Sequence, residues 1–332
     1  MALVAGEVLC RLVPFERVKY EMRYGHFSRN LVSRFLEYDP VLTFRNRRDA
    51  SFPDARVEIN SLGLRGPEVA LEKPAGVTRV LCLGDSCTFG GAHPYPEIMQ
   101  SILDQHAPGR FQVLNAGVIG YTSLHGLEWL ESDLAKLRPD IVTVYFGWND
   151  MWREKDSAVR EWFQSRVGGR PPPIFRSRLW DAASRSWVFL ENYFGVSDLQ
   201  VPPERYRAVL RTFAGLGRAN RFTPILVTAP SGFADDRTPE WLVRQGFVAH
   251  GDSAPRLRRV YNQVAVDVAR AESVPLADCA ADFERSGGRA LFGNPDEDPI
   301  HPNDEGYRRI AERLAAEVLA VTSAPSEASA SR

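Results

Sequence analysis

The stretch that decides the fold is RVLCLGDSCTFG, from Arg79 to Gly90. Its first half, Arg79 to Leu83, is a short apolar run of the length typical of a buried strand. Gly84 and Asp85 then break the run, and a helix is expected to follow. A serine one step beyond a buried strand is exposed at the edge of the sheet, where a helix N-terminus offers free N–H groups. The stretch therefore predicts a strand, a turn that carries Ser86, and a helix.

Four similar runs follow along the chain, with helical periods between them. The runs are QVLN (112–115), IVTVYF (141–146), PILVT (224–228) and PLAD (275–278). Apolar spacing near 3.6 residues predicts helices over 98–106, 124–137, 204–218, 257–271 and 304–320. This alternation predicts an α/β fold with a mainly parallel five-stranded sheet covered on both faces. Ligands bind outside the C-terminal ends of such strands, so the residues just after each run are the candidate site.

Two segments do not fit the alternation around the predicted core, residues 79–320. We interpret residues 1–78, which hold the turn-rich NSLGLRG, as an N-terminal extension, and residues 151–203 as an inserted cap. The aromatic residues of the cap form either its own small core, which we favour, or an acyl pocket over the site. Its many arginines suit solvated helix faces, an anionic membrane surface or an anionic polymer. The small, polar tail, residues 321–332, is expected to be disordered.

The composition is that of a globular protein. Hydrophobic residues make up 44% of the 332 residues, charged residues 25%, and the formal net charge is -1. This balance excludes a disordered or strongly charged polymer. Without a basic excess or a nucleic-acid motif, no nucleic-acid partner is expected. The four cysteines and six histidines show no metal-ligand spacing, so neither a metal nor another cofactor is predicted.

The start of the chain, MALVAGEVLCRLV (1–13), is apolar but short, and Glu7 and Arg11 interrupt it. A membrane span needs about 20 apolar residues. Two interpretations stay open: the end of a longer membrane anchor, or an amphipathic helix that packs on the domain. The first, which we favour, predicts membrane association at the cell envelope, and the second a soluble protein. The sequence gives no indication of the oligomeric state.

Polar residues and glycines follow the other predicted strands. The second strand leads into NAGVIGYT (115–122) and the third into FGWND (146–150), which contains Asn149. Near the C-terminus, DPIHP places Asp298 three residues before His301, a spacing that brings both side chains to one side of a tight turn. A carboxylate on one ring nitrogen fixes the tautomer and leaves the other nitrogen free to take a proton from a serine hydroxyl.

Serine, glycine, asparagine and histidine in four blocks, in this order, resemble the SGNH (GDSL-type) hydrolase superfamily. The resemblance covers about residues 79–320 and implies a flavodoxin-like three-layer α/β/α fold. It implies a cofactor-free serine hydrolase in which Ser86 is the nucleophile, His301 the general base and acid, and Asp298 the residue that orients the histidine. The implied oxyanion hole consists of the N–H groups of Ser86 and Gly120 and the side chain of Asn149.

Some assignments within these blocks have competitors. Gly120 matches the family block better than Gly117, because it stands directly before a polar turn. Asp296, Glu297 and Asp304 are the other carboxylates near His301; Asp304, or else Asn303, is expected to cap the last helix. Asp85 and Asp150 are expected to satisfy the backbone of their own loops. Cys87 departs from the family pattern, and a small packing residue is favoured there over a redox group.

These residues favour a serine esterase that acts on carboxylic esters through an acyl-enzyme, with short acyl or acetyl esters of a carbohydrate or lipid as expected substrates. One alternative is an O-acyltransferase that modifies a cell-envelope glycan, because the same triad serves both reactions. The alternative from another class is a non-catalytic binding protein on a hydrolase fold. It predicts damaged motifs, and none of the four blocks is damaged.

Overall fold

The computed structural model describes residues 5–9, 34–39, 42–153 and 198–323. The chain divides into two compact units. The larger unit comprises Asn46–Met151, Val201–Asp236 and Pro255–Arg332, and the smaller one Met1–Arg45, Trp152–Gln200 and Arg237–Ala254. Most of the predicted cap, residues 154–197, and the tail beyond residue 323 lie outside the described residues. Of the apolar start, only residues 5–9 are described, and they are helical.

The larger unit is built on a parallel sheet of five strands. In the described chain the strands are β1 Leu36–Asp39, β2 Thr43–Asn46, β3 Ala50–Phe52, β4 Val57–Ile59, β5 Thr78–Gly84, β6 Phe111–Gly117, β7 Ile141–Tyr145, β8 Thr223–Val227 and β9 Leu276–Ala277. The sheet has the order β6-β5-β7-β8-β9, and every neighbouring pair is parallel. Counted within the sheet, this is the 2-1-3-4-5 order of flavodoxin-like folds. The predicted fold class is confirmed, and the strand ends agree with the sequence within two residues.

Helices flank the sheet. From residue 86 onward the described α-helices are α1 Ser86–Phe89, α2 Tyr95–His106, α3 Ser123–Ser132, α4 Pro203–Asn220, α5 Glu240–Arg244, α6 Ala254–Glu272, α7 Cys279–Ser286 and α8 Asp304–Ser323. Of these, α5 belongs to the smaller unit. Helices α2 and α7 pack against α8, and α3 packs against α4. Helix α8 reaches three residues into the segment that the sequence predicts as a tail.

The central strands explain the continuous apolar runs. Val80, Leu81, Cys82 and Leu83 of β5 are fully buried, and all five residues of β7 are buried too. Strands that are covered on both faces have no solvent side and therefore show no polar alternation. The core lies around these two strands, and their carboxyl ends carry the Ser86 and Asn149 blocks.

The part of the N-terminal extension that belongs to the larger unit, residues 46–78, packs against the end of the sheet that carries Ser86. Strands β3 and β4 form an antiparallel pair, and Arg65 bridges β4 to Asn115 of β6. The buried guanidinium of Arg65 donates to the carbonyls of Phe89, Gly90 and Gly91, at 2.6, 2.8 and 2.7 Å. These carbonyls lie at and just beyond the C-terminus of α1, where helix carbonyls have no partner within the helix. Arg65 therefore caps the C-terminus of the helix that begins with Ser86.

Among the described residues, no helix is both long and apolar enough to cross a membrane. The predicted location at the cell envelope stays a prediction. The three described cysteines, Cys82, Cys87 and Cys279, are buried and free of disulfides, and Cys10 lies outside the described residues.

Candidate active site

Ser86, His301 and Asp298 form one hydrogen-bonded chain. The Oγ of Ser86 lies 2.8 Å from Nε2 of His301. On the other side of the ring, Nδ1 of His301 lies 2.8 Å from Oδ2 and 3.1 Å from Oδ1 of Asp298. A proton on Nδ1 that is donated to Asp298 leaves Nε2 as an acceptor for the serine hydroxyl proton. The geometry brings together the three residues that the four-block resemblance selects.

The turn between β5 and α1 presents Ser86. Asp85, which is fully buried, caps α1 by accepting a hydrogen bond from the N–H of Cys87 at 2.9 Å. Ser86 is thus the first residue of the helix and is half-buried, whereas Cys87, Thr88 and Phe89 are buried. No described residue accepts a hydrogen bond from the Ser86 N–H. The turn leaves both the hydroxyl and the N–H of one residue at the edge of the sheet.

The turn before α8 presents His301. Oδ1 of Asp298 accepts hydrogen bonds from the N–H groups of Ile300 and His301, both at 3.1 Å. The N–H of Asp298 donates to the carbonyl of Asn294 at 2.7 Å. Cys87 holds the same turn from the serine side, since its Sγ lies 3.6 Å from the carbonyl of Ile300. The carboxylate that holds the imidazole therefore also holds the backbone that carries it.

The charges of this pair reinforce each other. Burial alone would raise the pKa of Asp298, but the His301 charge and the hydrogen bonds from His301 and Ile300 hold that pKa below its usual range. Burial alone would lower the pKa of His301, but the Asp298 carboxylate, helped by Asp85, raises that pKa above its usual range. Asp298 is therefore ionised at neutral pH, and it stabilises the imidazolium that forms when His301 takes a proton.

Asn149 and Gly120 lie together beside the ends of β6 and β7. Nδ2 of Asn149 donates to the carbonyl of Tyr121 at 2.9 Å, which ties the Asn149 turn to the residue after Gly120. The amide carries a second N–H, and no described residue accepts from it. Gly120 has a φ of 88°, a conformation that favours glycine, and its N–H has no acceptor among the described residues.

Gly117 differs from Gly120 in its hydrogen bonding. The N–H of Gly117 donates to Oδ1 of Asn115 at 2.9 Å, so it is not available to a ligand. A Cβ at Gly117 would lie 2.1 Å from the Phe89 nitrogen, which shows how closely β6 approaches α1. Gly117 thus has a packing role, and of the two glycines only Gly120 keeps an unengaged N–H.

Asp150 fixes the turn that carries Asn149. It is fully buried and accepts hydrogen bonds from the N–H and hydroxyl of Ser123, at the start of α3, and from the N–H of Gly147 at 3.0 Å. Burial raises the pKa of Asp150 to about 6, and the same cause raises the pKa of Asp85 to about 6. Both carboxylates satisfy loop backbone, as the sequence predicts, and neither contacts Ser86 or His301 through a hydrogen bond.

The other candidates near His301 have different partners. Asp296 pairs with Arg289 at 2.7 Å, and Asn303, not Asp304, caps α8, because its Oδ1 accepts from the N–H of Gly306 at 3.0 Å. Burial, together with the Asp85 and Asp298 charges, raises the pKa of Cys87 well above its usual range, so this residue is a thiol and not a reactive thiolate. The described residues contain no group of three or more His, Cys, Asp or Glu side chains arranged to hold a metal ion.

Sequence reasoning missed two buried arginines beside the site. Arg65 caps the C-terminus of α1. Arg258 of α6 packs against the turn that carries Asn149, and its guanidinium lies 5.1 Å from the ring centroid of Trp148. Arg258 is only 2% exposed. The available signal was the spacing of Arg258, Tyr261 and Asn262, which places three polar groups on one face of an amphipathic helix.

A parallel α/β sheet with a Ser–His–Asp chain at its carboxyl edge is the architecture of lipases and acylhydrolases that use a serine. The chain belongs to the GDSL-like Lipase/Acylhydrolase family, whose model matches residues 82–309. The resemblance drawn from the four blocks is thereby confirmed.

Solved structures with a related fold share little sequence with this chain. A lipase/acylhydrolase from Enterococcus faecalis is 18% identical, with a TM-score of 0.49, over 74% of this chain and 97% of that one. Axe2, an acetylxylan esterase from Geobacillus stearothermophilus, is 19% identical, with a TM-score of 0.48, over 73% and 94%. LAE5, an alpha/beta hydrolase enzyme from the metagenome of Lake Arreo, Spain, is 19% identical, with a TM-score of 0.48, over 72% and 94%. A search of curated protein sequences found no match.

Proposed function

We propose that the protein is a serine esterase that hydrolyses carboxylic esters through an acyl-enzyme on Ser86. The observation that carries the proposal is the 2.8 Å contact between Oγ of Ser86 and Nε2 of His301, whose other nitrogen faces Asp298. Membership of a lipase and acylhydrolase family supports the same chemistry. A binding protein on this fold has no need of an intact nucleophile, base and orienting carboxylate in hydrogen-bond contact.

In the first half of the reaction, Oγ of Ser86 bonds to the ester carbonyl carbon while its proton passes to Nε2 of His301. The carbonyl electron pair moves onto oxygen, and the N–H groups of Ser86 and Gly120 and the amide of Asn149 are the proposed donors to that oxyanion. The tetrahedral intermediate collapses, the bond to the alcohol oxygen breaks, and the alcohol leaves with the proton from His301. The acyl group remains on Ser86.

In the second half, His301 takes a proton from water, and the resulting hydroxide attacks the acyl carbon. The bond to Oγ breaks, Ser86 recovers its proton from His301, and a carboxylic acid leaves. If a sugar hydroxyl replaces water in this step, the same residues transfer the acyl group to a glycan. Short acyl or acetyl esters of a carbohydrate or lipid remain the proposed substrates.

The test is turnover of p-nitrophenyl esters from acetate to palmitate by the wild type, Ser86→Ala and Ser101→Ala. Ser101 is an exposed serine of α2 and serves as the matched control. We expect Ser86→Ala to lose turnover by on the order of 10⁴-fold or more, because the neighbouring Cys87 is a buried thiol and does not replace the serine nucleophile. Ser101→Ala should match the wild type. Equal turnover by the wild type and Ser86→Ala would overturn the proposal.

A second measurement separates the esterase from the acyltransferase. An acetyl ester donor is supplied with a soluble oligosaccharide acceptor, and free acetate and acetylated oligosaccharide are both quantified. The esterase predicts free acetate at the same rate with or without the acceptor. Acetylated oligosaccharide without free acetate would instead assign the protein as an acyltransferase.

A further inference from the structure

Among the residues that the structure describes, Arg258 is the one fully buried guanidinium near the site whose N–H donors mostly have no acceptor. Its Nη2 donates to Oδ1 of Asn262 at 3.1 Å. Its Nε and Nη1 are buried and have no hydrogen-bond partner among the described residues. Leaving such donors unpaired in the interior costs free energy, so a cation in this state calls for a compensating role.

The position of Arg258 suggests that role. Gly147, whose φ is 113°, begins the turn that carries Asn149. A Cβ at Gly147 would lie 2.7 Å from Nη2 of Arg258 and 3.0 Å from Nη1, so the guanidinium packs directly against the backbone of this turn. Its plane also lies near the ring of the next residue, Trp148, in a cation–π contact. The Gly147 backbone and the Trp148 ring of this turn therefore both pack against the Arg258 guanidinium.

Two neighbours on the same helix face hold the adjoining loops. The hydroxyl of Tyr261 donates to the carbonyl of Val201 at 2.6 Å and lies 3.3 Å from the carbonyl of Asp150. Asn262 both donates to and accepts from the backbone of Ala229, just after β8, at 2.9 and 2.8 Å. Helix α6 therefore braces the carboxyl ends of β7 and β8 through residues at positions i, i+3 and i+4.

The positive charge of Arg258 acts on two buried carboxylates. Asp150, on the same turn, and Asp85, before Ser86, are both fully buried carboxylates. Burial raises the pKa of Asp150, whereas the Arg258 charge and hydrogen bonds from Ser123 and Gly147 act to lower it. A buried cation thus favours the ionised Asp150, which accepts the hydrogen bonds that shape the turn.

We propose that Arg258 is a positioning residue that holds the Asn149 amide in place by bracing the Gly147 backbone and the Trp148 ring from behind. This inference rests on the proposed esterase reaction for its effect on rate, but not for its effect on the turn itself. Arg258 is buried away from solvent and acts through Asn149, so it is not itself a catalytic residue.

The experiment compares Arg258→Met and Arg258→Lys with Arg79→Met. Arg79 is an equally buried arginine at the opposite end of β5, where it donates to the carbonyls of Leu71, Ala70 and Leu137. All rates are divided by the fraction of protein that a fluorophosphonate labels on Ser86. Misfolded molecules then do not count.

We expect Arg258→Met to lower kcat by about tenfold to a hundredfold, with little change in KM, because a displaced donor loses contact with the transition state. Arg258→Lys keeps a cation against Trp148 and should recover most of the loss. Arg79→Met should keep the wild-type kcat per labelled site. Equal kcat values for Arg258→Met and Arg79→Met, or no recovery in Arg258→Lys, would overturn the inference.

Hydrogen exchange tests the same inference without turnover. Peptides that cover residues 146–150 and 120–126 should exchange faster in Arg258→Met than in the wild type, because the donors to Asp150 lose their fixed acceptor. Arg79→Met should leave these peptides unchanged. Unchanged exchange in Arg258→Met would refute the bracing role even if no ester is turned over. Faster exchange in a protein without esterase activity would refute only the proposed function.

Discussion

The two sides of the candidate site are built in different ways. On the triad side, the contact between Asp298 and His301 joins residues three apart, and one carboxylate fixes both the ring and its backbone. On the donor side, Asn149 depends on Asp150, on the start of α3 and on Arg258, more than a hundred residues further along the chain. Local spacing therefore specifies the pairing of Asp298 with His301, whereas tertiary packing specifies the position of Asn149.

The largest effect that separates the two sides is expected from Asp298→Asn. An amide at this position favours the wrong tautomer of His301, and kcat should fall by about 10⁴-fold while the protein stays folded. The control is Asp296→Asn, two residues away, which only loses an exposed pair with Arg289. Steady-state kinetics on p-nitrophenyl acetate measure both. A loss of less than tenfold would show that another carboxylate orients the imidazole.

On the donor side, Asn149→Ala should cost about 10²-fold to 10³-fold in kcat with little change in KM, because the amide is expected to stabilise the oxyanion and not the ground state. Asn220→Ala, at the exposed end of α4, is the matched control. An increase in KM at constant kcat would contradict the assignment, since it would place Asn149 in substrate binding.

The variant Arg65→Met removes the cap from the C-terminus of α1, the helix that presents Ser86. Three carbonyls at the end of α1 would then lose a charged donor in a buried site, so the free energy of unfolding should fall by about 3 kcal/mol. Arg309→Met, which breaks exposed pairs with Glu305 and Glu312 on α8, should change it by less than about 1 kcal/mol. Urea unfolding followed by tryptophan fluorescence measures both. Equal midpoints would mean that Arg65 does not hold the helix.

The smallest expected effect is the shift of a pH profile. His301 must be neutral to accept the Ser86 proton, and its raised pKa means that the protonated form persists to higher pH. As pH falls, kcat/KM should therefore begin to drop above the usual histidine pKa of about 6.5, by about tenfold per pH unit. Asp298→Asn removes the main cause of the increase, so its midpoint should move to lower pH.

Asp150 provides the control for that profile, because burial raises its pKa to about 6, in the same region. The hydrogen bonds from Ser123 and Gly147 that act on this pKa stay in place in Asp298→Asn, so the Asp150 titration should not move. Asp85 is not a suitable control, because the His301 charge acts on its pKa. A midpoint that does not move in this variant would assign the acid limb to Asp150 and not to His301.

The fold was predictable because each central strand is a continuous apolar run that ends at a turn residue. The link between Asp298 and His301 was predictable from their spacing. Arg65 and Arg258 were not, because an arginine in sequence is expected at the surface, and only the packed structure shows which carbonyls or loops surround it. The cap of α8 was predicted as Asp304 because Asn303 and Asp304 are adjacent and both are good capping residues. Which of the two caps the helix depends on whether the helix begins one residue earlier or later, and the sequence pattern does not define the start that closely.

Because Arg65 caps the C-terminus of α1, it limits how far the domain can be shortened at its N-terminal side. The family match starts at residue 82, inside β5 and well after Arg65. A fragment cut at the limits of that match would keep Ser86, Asn149 and His301, yet lose the guanidinium that holds Phe89, Gly90 and Gly91, as well as most of α8. A fragment that keeps both features has to begin before Arg65 and extend to Ser323, because the family match is narrower than the folded unit to which Ser86 belongs.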